Sequence, residues 1–508
     1  MFEDQSFFGM ARTGVLEDGR RYPLILDNDE LARLVPPDGF SIPYSVMGGK
    51  LWVEMGDIVV IPEAIRLIQR PLRFLETVHD LFNEFGFRKL IYAQGIGDPY
   101  LMPVMAYAGV TIFDGIYQRM EAINGIGYGP LGKHHGKDSS GDANVQFSKE
   151  ILNAVAMGIS DGTLREIVEK FMISSKAQEL LRLMDSRFSE QSEETFPART
   201  PYIKANSVEA LNRPDLTRFR NYVAEKYEKP TDKKVALIIP CSARKPYSES
   251  KTHQSLIASL GRYREFVHEI IVTSPMGLVP RELEEAYPPR FYDIPVTGRW
   301  FEEEKQMIRN MLSLYFARNS YSHIFCLIDE SLNFIRDALP ENSTIINGRI
   351  DRESDQKRLK ENLEPYSGRT HDRIDEKRTR LIALAEYQFG KWISRHLEKS
   401  RIQRNYNQFM FVQGGLTQLV FNEKKGSFSI NKSFAKPFIV ENRFVVSIDD
   451  FKPTSNVYAA GVLGVTADVR PECEVVLSFN GEPRGAGTAK MPSRAMIELS
   501  KGIAVKVR

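Results

Sequence analysis

One segment of fourteen residues brings together a thiol, amines, hydroxyls and an imidazole, which are side chains that could form covalent bonds or move protons. Residues 240–253 read PCSARKPYSESKTH and present, in order, Cys241, Lys245, Tyr247, Ser250 and His253. Thiolates are strong nucleophiles, and the imidazole is the side chain that titrates nearest neutral pH. The segment therefore predicts nucleophilic or acid–base chemistry, with a solvated polar loop as the alternative.

These side chains need a rigid element to position them, and an apolar run predicts one. Residues 235–239, VALII, indicate a buried strand directly before the segment. The pattern downstream predicts further strands near 269–273, 323–328 and 343–347 and helices near 302–317 and 330–338. In an α/β sheet the turn after a parallel strand lies at the carboxyl edge, where ligands bind. We therefore expect a compact α/β domain with a site at that edge.

Neighbouring loops are expected at the same edge of this sheet. Ser274 and Gly277 follow the strand near 269–273, and Gly277 would let a ligand approach the backbone closely. Tyr292-Asp293 and Thr297-Gly298 are expected to form a further edge loop. The site is thus predicted to be assembled from several strand ends.

Composition limits the classes of protein to which this chain can belong. With 508 residues, 42% hydrophobic and 26% charged, it can form roughly three or four soluble domains. Lys plus Arg number 68 and Asp plus Glu 66, so affinity for nucleic acid must come from local basic patches. Cys241, Cys326 and Cys473 are too widely spaced for a CxxC zinc site or a disulfide framework. With no secretory signal and no bilayer-spanning run, we expect a cytoplasmic protein. We also expect no metal and no redox cofactor.

Changes in pattern along the chain predict its domain organisation. Strands at 89–93 and 110–113 flank a helix near 100–108, a rhythm that implies parallel pairing. Residues 188–206 are rich in Ser, Glu, Thr and Pro and are expected to be a linker. A helix is predicted at 373–399, and short alternating strands after about 437 predict a small β-barrel. The predicted domains are 1–195, 207–350, 365–436 and 437–508.

A histidine pair, His134-His135, lies in residues 132–141, which are predicted to be a loop from their Gly, Ser and Lys content. No cysteine lies nearby, so an exposed loop is favoured over a metal site. We therefore expect no metal ligands there.

Residues 240–253 also match the pattern PCxxxKPYxxSxxH, the signature of the archaeosine synthases. All seven fixed positions agree: Pro240, Cys241, Lys245, Pro246, Tyr247, Ser250 and His253. Resemblance to this family implies an archaeal tRNA-modifying transferase that joins the side-chain amine of free L-lysine to the nitrile of 7-cyano-7-deazaguanine (preQ0) at position 15 of tRNA. It further implies a radical-SAM partner that cleaves the amidine-linked lysine adduct to leave archaeosine.

Two segments of the N-terminal third resemble tRNA-guanine transglycosylases. Residues 95–99, GIGDP, and 110–114, VTIFD, look like a late strand of that family's barrel, in which the aspartate at the position of Asp114 attacks the ribose. The family's Cys/His zinc cluster is missing here, and fewer than 200 residues are short for a barrel of about 250. The resemblance therefore implies a shortened barrel that holds the base or the tRNA. Asp98 and Asp114 are candidates for binding the Watson–Crick edge of the deazaguanine.

The C-terminal residues resemble the PUA domain, an RNA-binding β-barrel. The resemblance rests on 444–446, 460–462, 469–471, 485–487 and 501–508. Basic residues cluster before it and would contact tRNA phosphates in a salt-dependent way. These candidates are Lys391, Arg395, Lys399, Arg401, Arg404 and Lys436.

The resemblance to archaeosine synthases gives the motif residues roles, several with alternatives. The attacking amine must be neutral, so His253 is a candidate base or proton shuttle, or else a structural histidine that caps the next helix. Cys241 could add to the nitrile as a thioimidate that lysine displaces, or lysine could attack directly. Lys245 would donate to a carboxylate or to the developing anion. Tyr247 and Ser250 would donate their hydroxyls, either to orient substrate or for structure.

Glu282 could bind the α-ammonium of lysine or could simply begin a helix.

The patterns and resemblances together predict a multidomain α/β protein. Its parts are a shortened TIM-barrel-like N-terminal domain, a three-layer α/β middle domain, a small α+β connector and a C-terminal PUA β-barrel. The alternatives are a transglycosylase that exchanges bases and a non-catalytic tRNA-binding subunit. A homodimer is also compatible with the sequence.

Overall fold

The computed structural model describes residues 2–26, 51–136, 139–295, 298–367 and 375–508. The chain divides into two compact units, Met1–Pro201 with Phe438–Arg508, and Tyr202–Pro437. Thr297, which was expected in an edge loop, and the first residues of the helix predicted at 373–399 lie outside the described residues. The division into four domains stays a prediction.

The first stretch of the chain alternates strands and helices before it becomes mostly helical. Its elements are β1 (Phe2–Phe8), β2 (Ala11–Leu16), β3 (Arg21–Tyr22), β4 (Leu24–Leu26), β5 (Val53–Met55), β6 (Ile58–Ile61), α1 (Ala64–Leu67), α2 (Pro71–Phe85), β7 (Leu90–Ala93), α3 (Met102–Tyr107), β8 (Val110–Asp114), α4 (Ile116–Ile123), β9 (Ile126–Gly129), β10 (Gly132–His135), α5 (Gly141–Asp161), α6 (Leu164–Lys170), α7 (Ser175–Ser186) and α8 (Ser189–Thr195).

The main sheet of this stretch has the order β4-β8-β7-β6-β5 among the described residues. β7 and β8 pair in parallel, as the sequence predicts, and both strands are buried along their whole length. Such burial is typical of strands covered on both faces, which explains their continuous apolar sequence. In the described residues the sheet is open, with β4 and β5 at its edges. The shortened barrel therefore stays a prediction.

Two polar stretches are more regular than the sequence predicts. The expected loop at 132–141 includes β10, which pairs antiparallel with β9, so His134 and His135 lie on an exposed hairpin strand. The expected linker at 188–206 contains α8, and Phe196, which directly follows it, is fully buried. Ser and Glu are favourable at the start of a helix, so a polar composition did not exclude one. The buried phenylalanine anchors the segment.

The second unit begins with an α/β domain. Its elements are β11 (Ile203–Lys204), α9 (Pro214–Asn221), β12 (Val235–Pro240), α10 (Lys251–Leu260), β13 (Val267–Thr273), β14 (Gly277–Pro280), β15 (Tyr292–Asp293), α11 (Glu302–Arg318), β16 (His323–Ile328), β17 (Ser343–Asn347) and α12 (Glu353–Leu363).

The sheet of this domain has the order β14-β13-β12-β16-β17 among the described residues. β12 lies at its centre and pairs in parallel with β13 and β16, while β14 runs antiparallel. The strands predicted around 234–239, 269–273, 323–328 and 343–347 are thereby confirmed. The helix predicted near 302–317 is α11, whereas 330–338 forms 3₁₀ turns. The central position of β12 places its carboxyl end between two neighbouring strand ends.

The rest of the second unit is a helix followed by an antiparallel sheet. Its elements are α13 (Glu376–Phe389), α14 (Ser394–Leu397), β18 (Arg401–Asn405), β19 (Gln408–Gln413), β20 (Leu416–Asn422) and β21 (Ser427–Ile430), with α15 (Ala435–Glu441) at its end. The prediction of one helix over 373–399 is wrong at its end. Gly390 takes φ +101°, which a helix cannot accommodate, so α13 ends at Phe389. The four strands pair in chain order.

The C-terminal residues form a six-stranded sheet, and its closure into the small β-barrel expected from the alternating pattern stays a prediction. Its elements are β22 (Val445–Ile448), β23 (Asn456–Tyr458), β24 (Val462–Val465), β25 (Glu474–Phe479), β26 (Glu482–Ala489), α16 (Ser493–Glu498) and β27 (Ile503–Val507), in the strand order β23-β27-β26-β25-β22-β24. Its apolar residues join those of the N-terminal stretch in one hydrophobic core. The Phe87 N–H donates to Glu498 at 2.7 Å across this core. The two ends of the chain thus stabilise each other within the first unit.

Searched over the residues described here, the helices include none with the length and apolar character needed to cross a membrane.

Candidate active site

The carboxyl end of β12 presents Cys241 beside the end of β13. The Cys241 N–H donates to the Val272 carbonyl at 3.2 Å, which extends the strand pairing by one residue. Thr273, the last residue of β13, follows the paired Val272 as Cys241 follows its partner Pro240, so the two residues lie opposite each other, and the Thr273 hydroxyl lowers the pKa of the thiol. Cys241 is partly exposed, whereas Thr273 is fully buried. The nucleophile predicted from the sequence therefore lies at the sheet edge where ligands bind in α/β folds.

Lys245 packs against an aromatic ring, and its charge acts on the Cys241 thiol. Its Nζ is 3.9 Å from the centroid of the Tyr292 ring, the distance of a close cation–π contact. Burial lowers the pKa of Lys245, and the same effect raises the pKa of Cys241, against smaller opposing contributions from Thr273 and Lys245. Both shifts favour the neutral forms, a thiol and an amine. The neutral thiol can therefore donate a proton, and the neutral amine can accept one.

Three buried hydroxyls form a chain behind the thiol. The Oη atoms of Tyr247 and Tyr292 lie 2.8 Å apart, and the Tyr292 Oη lies 2.6 Å from the Thr273 Oγ1. The Thr273 hydroxyl can also donate to the Ser274 carbonyl, at 3.1 Å. The Tyr247 hydroxyl is therefore buried inside the protein, where it bonds to the hydroxyl of Tyr292. Thr273 carried no predicted role, and its signal in the sequence was only its place at a strand end.

Ser250 and His253 begin the helix that follows the motif. The Ser250 Oγ accepts from the His253 N–H at 3.2 Å, the N-cap of α10. The His253 Nδ1 lies 2.9 Å from the guanidinium of Arg281, which can only donate, so the imidazole lone pair is used there. Nε2 therefore carries the proton, and it is buried without a hydrogen-bond partner within the described part of the chain.

The surroundings of His253 favour a structural histidine over a proton shuttle. Burial first, and Arg281 second, lower its pKa to about 4. The imidazole is fully buried and stays neutral at neutral pH. Its ring contacts Arg281, which in turn donates to Glu269 of β13, so the start of α10 is joined to that strand. Of the two alternatives left open by the sequence, the geometry favours the structural one.

Arg281 is a buried connection that sequence reasoning missed. Its guanidinium donates to Glu269 through Nε at 3.0 Å, to Glu284 at 2.8 Å and to His253. Glu284 in turn accepts from the Ser248 N–H at 3.0 Å. Burial would raise the pKa of Glu269, but Arg281 and Arg264 lower it to about 2. One guanidinium thereby joins β13, α10 and the motif loop.

Three other predicted site residues have partners or neighbours inside the protein. The buried Glu282 accepts from Tyr227 at 3.2 Å, and its carboxylate lies 3.0 Å from the His268 Nε2. Ser274 is buried, and its Oγ has no hydrogen-bond partner within the described part of the chain. Gly277 has φ +73°, and a Cβ there would lie 2.5 Å from the Met311 Sδ. Met311 occupies the side of Gly277 on which a Cβ would lie, and the approach of a ligand to its backbone stays a prediction.

Asp98 and Asp114 lie in the first unit, at the carboxyl ends of β7 and β8. Asp114 is fully buried and accepts from the Tyr92 hydroxyl at 2.9 Å, the Gly95 N–H at 2.6 Å and the Ile116 N–H at 3.0 Å. Burial raises its pKa against these three hydrogen bonds. Asp98 forms an ion pair with Lys133 at 3.2 Å. Both carboxylates are thus engaged by the protein.

The predicted RNA-binding residues are exposed, with varied surroundings. Lys391 pairs with Glu228. The Arg404 guanidinium lies 5.1 Å and the Lys377 Nζ 4.6 Å from the centroid of the Phe409 ring. The exposed cations predicted from the sequence are Lys391, Arg395, Lys399, Arg401, Arg404 and Lys436. No ion pair to Arg404 or Lys377 occurs among the residues described.

A cavity of about 470 Å³ lies in the second unit beside these cations. Its lining includes Arg264, Glu284, Glu376, Lys377, Arg404 and Phe409, as well as Ser248 of the motif loop. Cys241 and Lys245 are not part of this lining. Arg264 pairs with Glu376 at 3.2 Å across the cavity wall. The cavity is therefore a polar cleft distinct from the thiol site.

Comparison with known proteins yields relatives over the whole chain. "Archaeosine synthase subunit alpha" of Thermoplasma acidophilum is 45% identical over 518 aligned residues, covering 100% of both chains. The protein of the same name from Methanosarcina acetivorans is 29% identical and covers 94% of this chain and 83% of its own. "Archaeosine synthase" of Haloferax volcanii is 26% identical, with coverage of 89% and 82%.

A family model described as a domain of unknown function (DUF5591) matches residues 216–364, which include the motif. Among solved structures, a protein of unknown function covers 57% of this chain and 98% of its own at 24% identity and a TM-score of 0.47. A conserved PUA domain protein from Thermoplasma acidophilum covers 23% and 87% at 14% identity and a TM-score of 0.19.

Proposed function

Because this chain belongs to the archaeosine synthase family, we propose that it joins the side-chain amine of L-lysine to the nitrile of 7-cyano-7-deazaguanine at position 15 of archaeal tRNA. The observation that carries the proposal is Cys241, a residue of intermediate exposure at the carboxyl edge of the sheet, with a thiol and a Lys245 amine that act on each other electrostatically. A nitrile carbon is an electrophile that a thiolate can attack. The product of lysine addition is an amidine, formed without oxidation or reduction.

In the first step, the thiol adds across the nitrile. Lys245 takes the proton of the Cys241 thiol, and the thiolate forms a bond to the nitrile carbon. The nitrile nitrogen gains negative charge and receives that proton back from the Lys245 ammonium. The result is a thioimidate, which carries the base on sulfur. The lowered pKa of Lys245 supports this step, because an amine of ordinary pKa would be protonated and could not accept a proton.

In the second step, free lysine displaces the sulfur. Its neutral side-chain amine attacks the thioimidate carbon, the carbon–sulfur bond breaks, and the leaving thiolate regains a proton from the new ammonium. Lysine in solution has a side-chain pKa of about 10.4, so Lys245 must also remove a proton from the incoming ammonium, and it gives that proton to a nitrogen of the amidine product. Direct attack by lysine on the nitrile would need no thiol. The place of Cys241 at the sheet edge, with Thr273 and Lys245 both acting to lower the pKa of its thiol, favours the covalent route.

Lysine transfer by the purified chain tests this proposal. With preQ0-containing tRNA and isotopically labelled lysine, the wild type should incorporate label, and Cys241→Ala and Cys241→Ser should lose at least about 100-fold in rate. Cys326→Ala, a buried thiol of the same sheet, is the matched control and should remain active. Full activity of Cys241→Ala would end the covalent route. No incorporation without another protein would favour a non-catalytic tRNA-binding subunit.

Base exchange is less well supported than lysine transfer. In the transglycosylases that residues 95–114 resemble, the aspartate at the position of Asp114 must be free to attack the ribose. Here its carboxylate accepts three hydrogen bonds inside the protein. Labelled guanine would be released from tRNA if base exchange took place. We propose that the first unit instead binds the tRNA, with the PUA-like C-terminal sheet, and that a radical-SAM partner acts on the lysine adduct.

A further inference from the structure

We propose that Tyr292 is a positioning residue that stabilises both ions formed when Cys241 gives its proton to Lys245. Its hydroxyl stabilises the Cys241 thiolate through Thr273, and its ring face holds the Lys245 ammonium. The inference deepens the proposed function and rests on it for the catalytic step. The part of the inference that concerns the ionisation of Cys241 involves only residues of this chain. It can therefore be tested without the lysine-transfer reaction.

The backbone fixes Tyr292 at this place. It lies in β15, which pairs in parallel with β11. The Ile203 N–H donates to the Phe291 carbonyl at 3.0 Å, and the Ala205 N–H donates to the Asp293 carbonyl at 2.8 Å, so the chain is held on both sides of Tyr292. The side chain is 4% exposed. A ring held this firmly can position a flexible lysine at little further cost in entropy.

Each of the three hydroxyls has one proton to donate. The chain of hydrogen bonds can therefore end with a donation to the Cys241 sulfur. With a neutral thiol, the Thr273 hydroxyl donates to the Ser274 carbonyl. When Cys241 ionises, that hydroxyl rotates and donates to the sulfur, Tyr292 donates to Thr273, and Tyr247 donates to Tyr292. Hydroxyl hydrogens rotate about their C–O bonds, so this reversal moves no heavy atom. Hydrogen bonds to ions are stronger than neutral ones, and neighbouring bonds in a chain polarise each other.

The ring of Tyr292 stabilises the Lys245 ammonium. The Lys245 Nζ lies 3.9 Å from its centroid, where the negative face of the ring attracts an ammonium. Burial opposes both ions, as the directions of the pKa shifts of Cys241 and Lys245 indicate. A residue that stabilises the two ions together therefore makes the proton transfer less unfavourable. If Tyr292 served only to fill space, its ring would be needed but its hydroxyl would not.

Alkylation of Cys241 by iodoacetamide as a function of pH tests the hydroxyl chain. The rate is read at the Cys241 peptide by mass spectrometry, because Cys326 and Cys473 are buried. Loss of a hydrogen bond to a thiolate should raise the midpoint of the pH–rate profile by about one pH unit in Thr273→Val and in Tyr292→Phe. The double variant should shift no further, because either change breaks the same chain. Tyr247→Phe, at the far end, should give a smaller shift.

Tyr263→Phe is the matched control, since the hydroxyl of Tyr263 contacts Glu364 at the surface of the same unit. It should alkylate like the wild type. Each variant is compared at equal folded content, measured by near-UV circular dichroism. If Thr273→Val, Tyr292→Phe and Tyr247→Phe all keep the wild-type midpoint while folded, the inference is wrong. Should one of them fail to fold, the remaining two decide by the same criterion.

Lysine transfer supplies the catalytic readout. Tyr292→Phe should lower kcat about tenfold with KM for lysine unchanged, and Tyr292→Leu, which also removes the ring, should lower it further. A rise in KM alone would contradict a role in proton transfer. If the wild type shows no lysine transfer while the alkylation shift is present, the proposed function fails and the inference about ionisation stands. Lysine transfer without the alkylation shift would contradict the inference about ionisation and leave the proposed function standing.

Discussion

Replacement of Arg281 by methionine should destabilise the second unit more than any surface charge change. The guanidinium donates to Glu269, Glu284 and His253, and its removal leaves two buried carboxylates short of a partner. Removing one member of a buried ion pair typically costs about 3–5 kcal/mol. Glu269 keeps its 3.0 Å contact to Arg264, so the lower half of that range is expected. Thermal unfolding should then shift down by roughly 6–12 °C.

Two further variants identify the cause of that loss. Arg262→Met removes an exposed arginine whose contact to Glu364 is 3.5 Å, and it should leave the unfolding temperature unchanged within error. Arg281→Met combined with Glu269→Gln should recover about 1–2 kcal/mol, because the stranded charge is gone. The measurement is differential scanning calorimetry at pH 7. An Arg281→Met protein as stable as Arg262→Met would refute the idea that this guanidinium holds the motif loop.

Three more predictions follow from individual contacts. The pKa of His253 is about 6.5 when unfolded and about 4 when folded, so its contribution to stability is complete above pH 6.5 and is lost as pH falls toward 4. Wild type should lose about 3 kcal/mol over that window relative to His253→Gln in urea titrations, and equal slopes would contradict it. Gly277→Ala should cost about 2–4 kcal/mol, from a left-handed φ and overlap with Met311, whereas Gly415→Ala at φ +80° in open space should cost about 1. Lys377→Gln with Arg404→Gln should reduce the slope of log Kd for tRNA against log salt by about 1–2, and an unchanged slope would remove that surface from the interface.

The strand pattern and the motif were predictable because they depend on local sequence. An apolar run such as residues 235–239 has few alternatives to a buried strand, and the turn after a parallel strand has a fixed place in an α/β sheet. Cys241 was therefore predictable as an edge residue. The position of Lys245 beside it also followed from the short separation along the chain.

The partners of these residues were not predictable, because they come from distant parts of the chain. Tyr292 and Thr273 meet Tyr247 only after β13 and β15 have folded. The same is true of Arg281, whose contact uses the lone pair of His253 and so changes the role that the residue type suggested. Ser250 is a local example, since the sequence predicted a hydroxyl donor and the structure uses that hydroxyl as the N-cap of α10. Residue type predicted the available chemistry, and tertiary contacts decided which groups remain free for it.

The covalent intermediate is the most direct test of the central claim. Wild-type protein mixed with preQ0-containing tRNA in the absence of lysine should form a protein–RNA species that persists on a denaturing gel and that lysine addition discharges. Peptide mapping should find the base on the sulfur of Cys241. The species should be missing in Cys241→Ala and present in Cys326→Ala. Lysine transfer at the full rate with no such species at any time in the reaction would contradict the account.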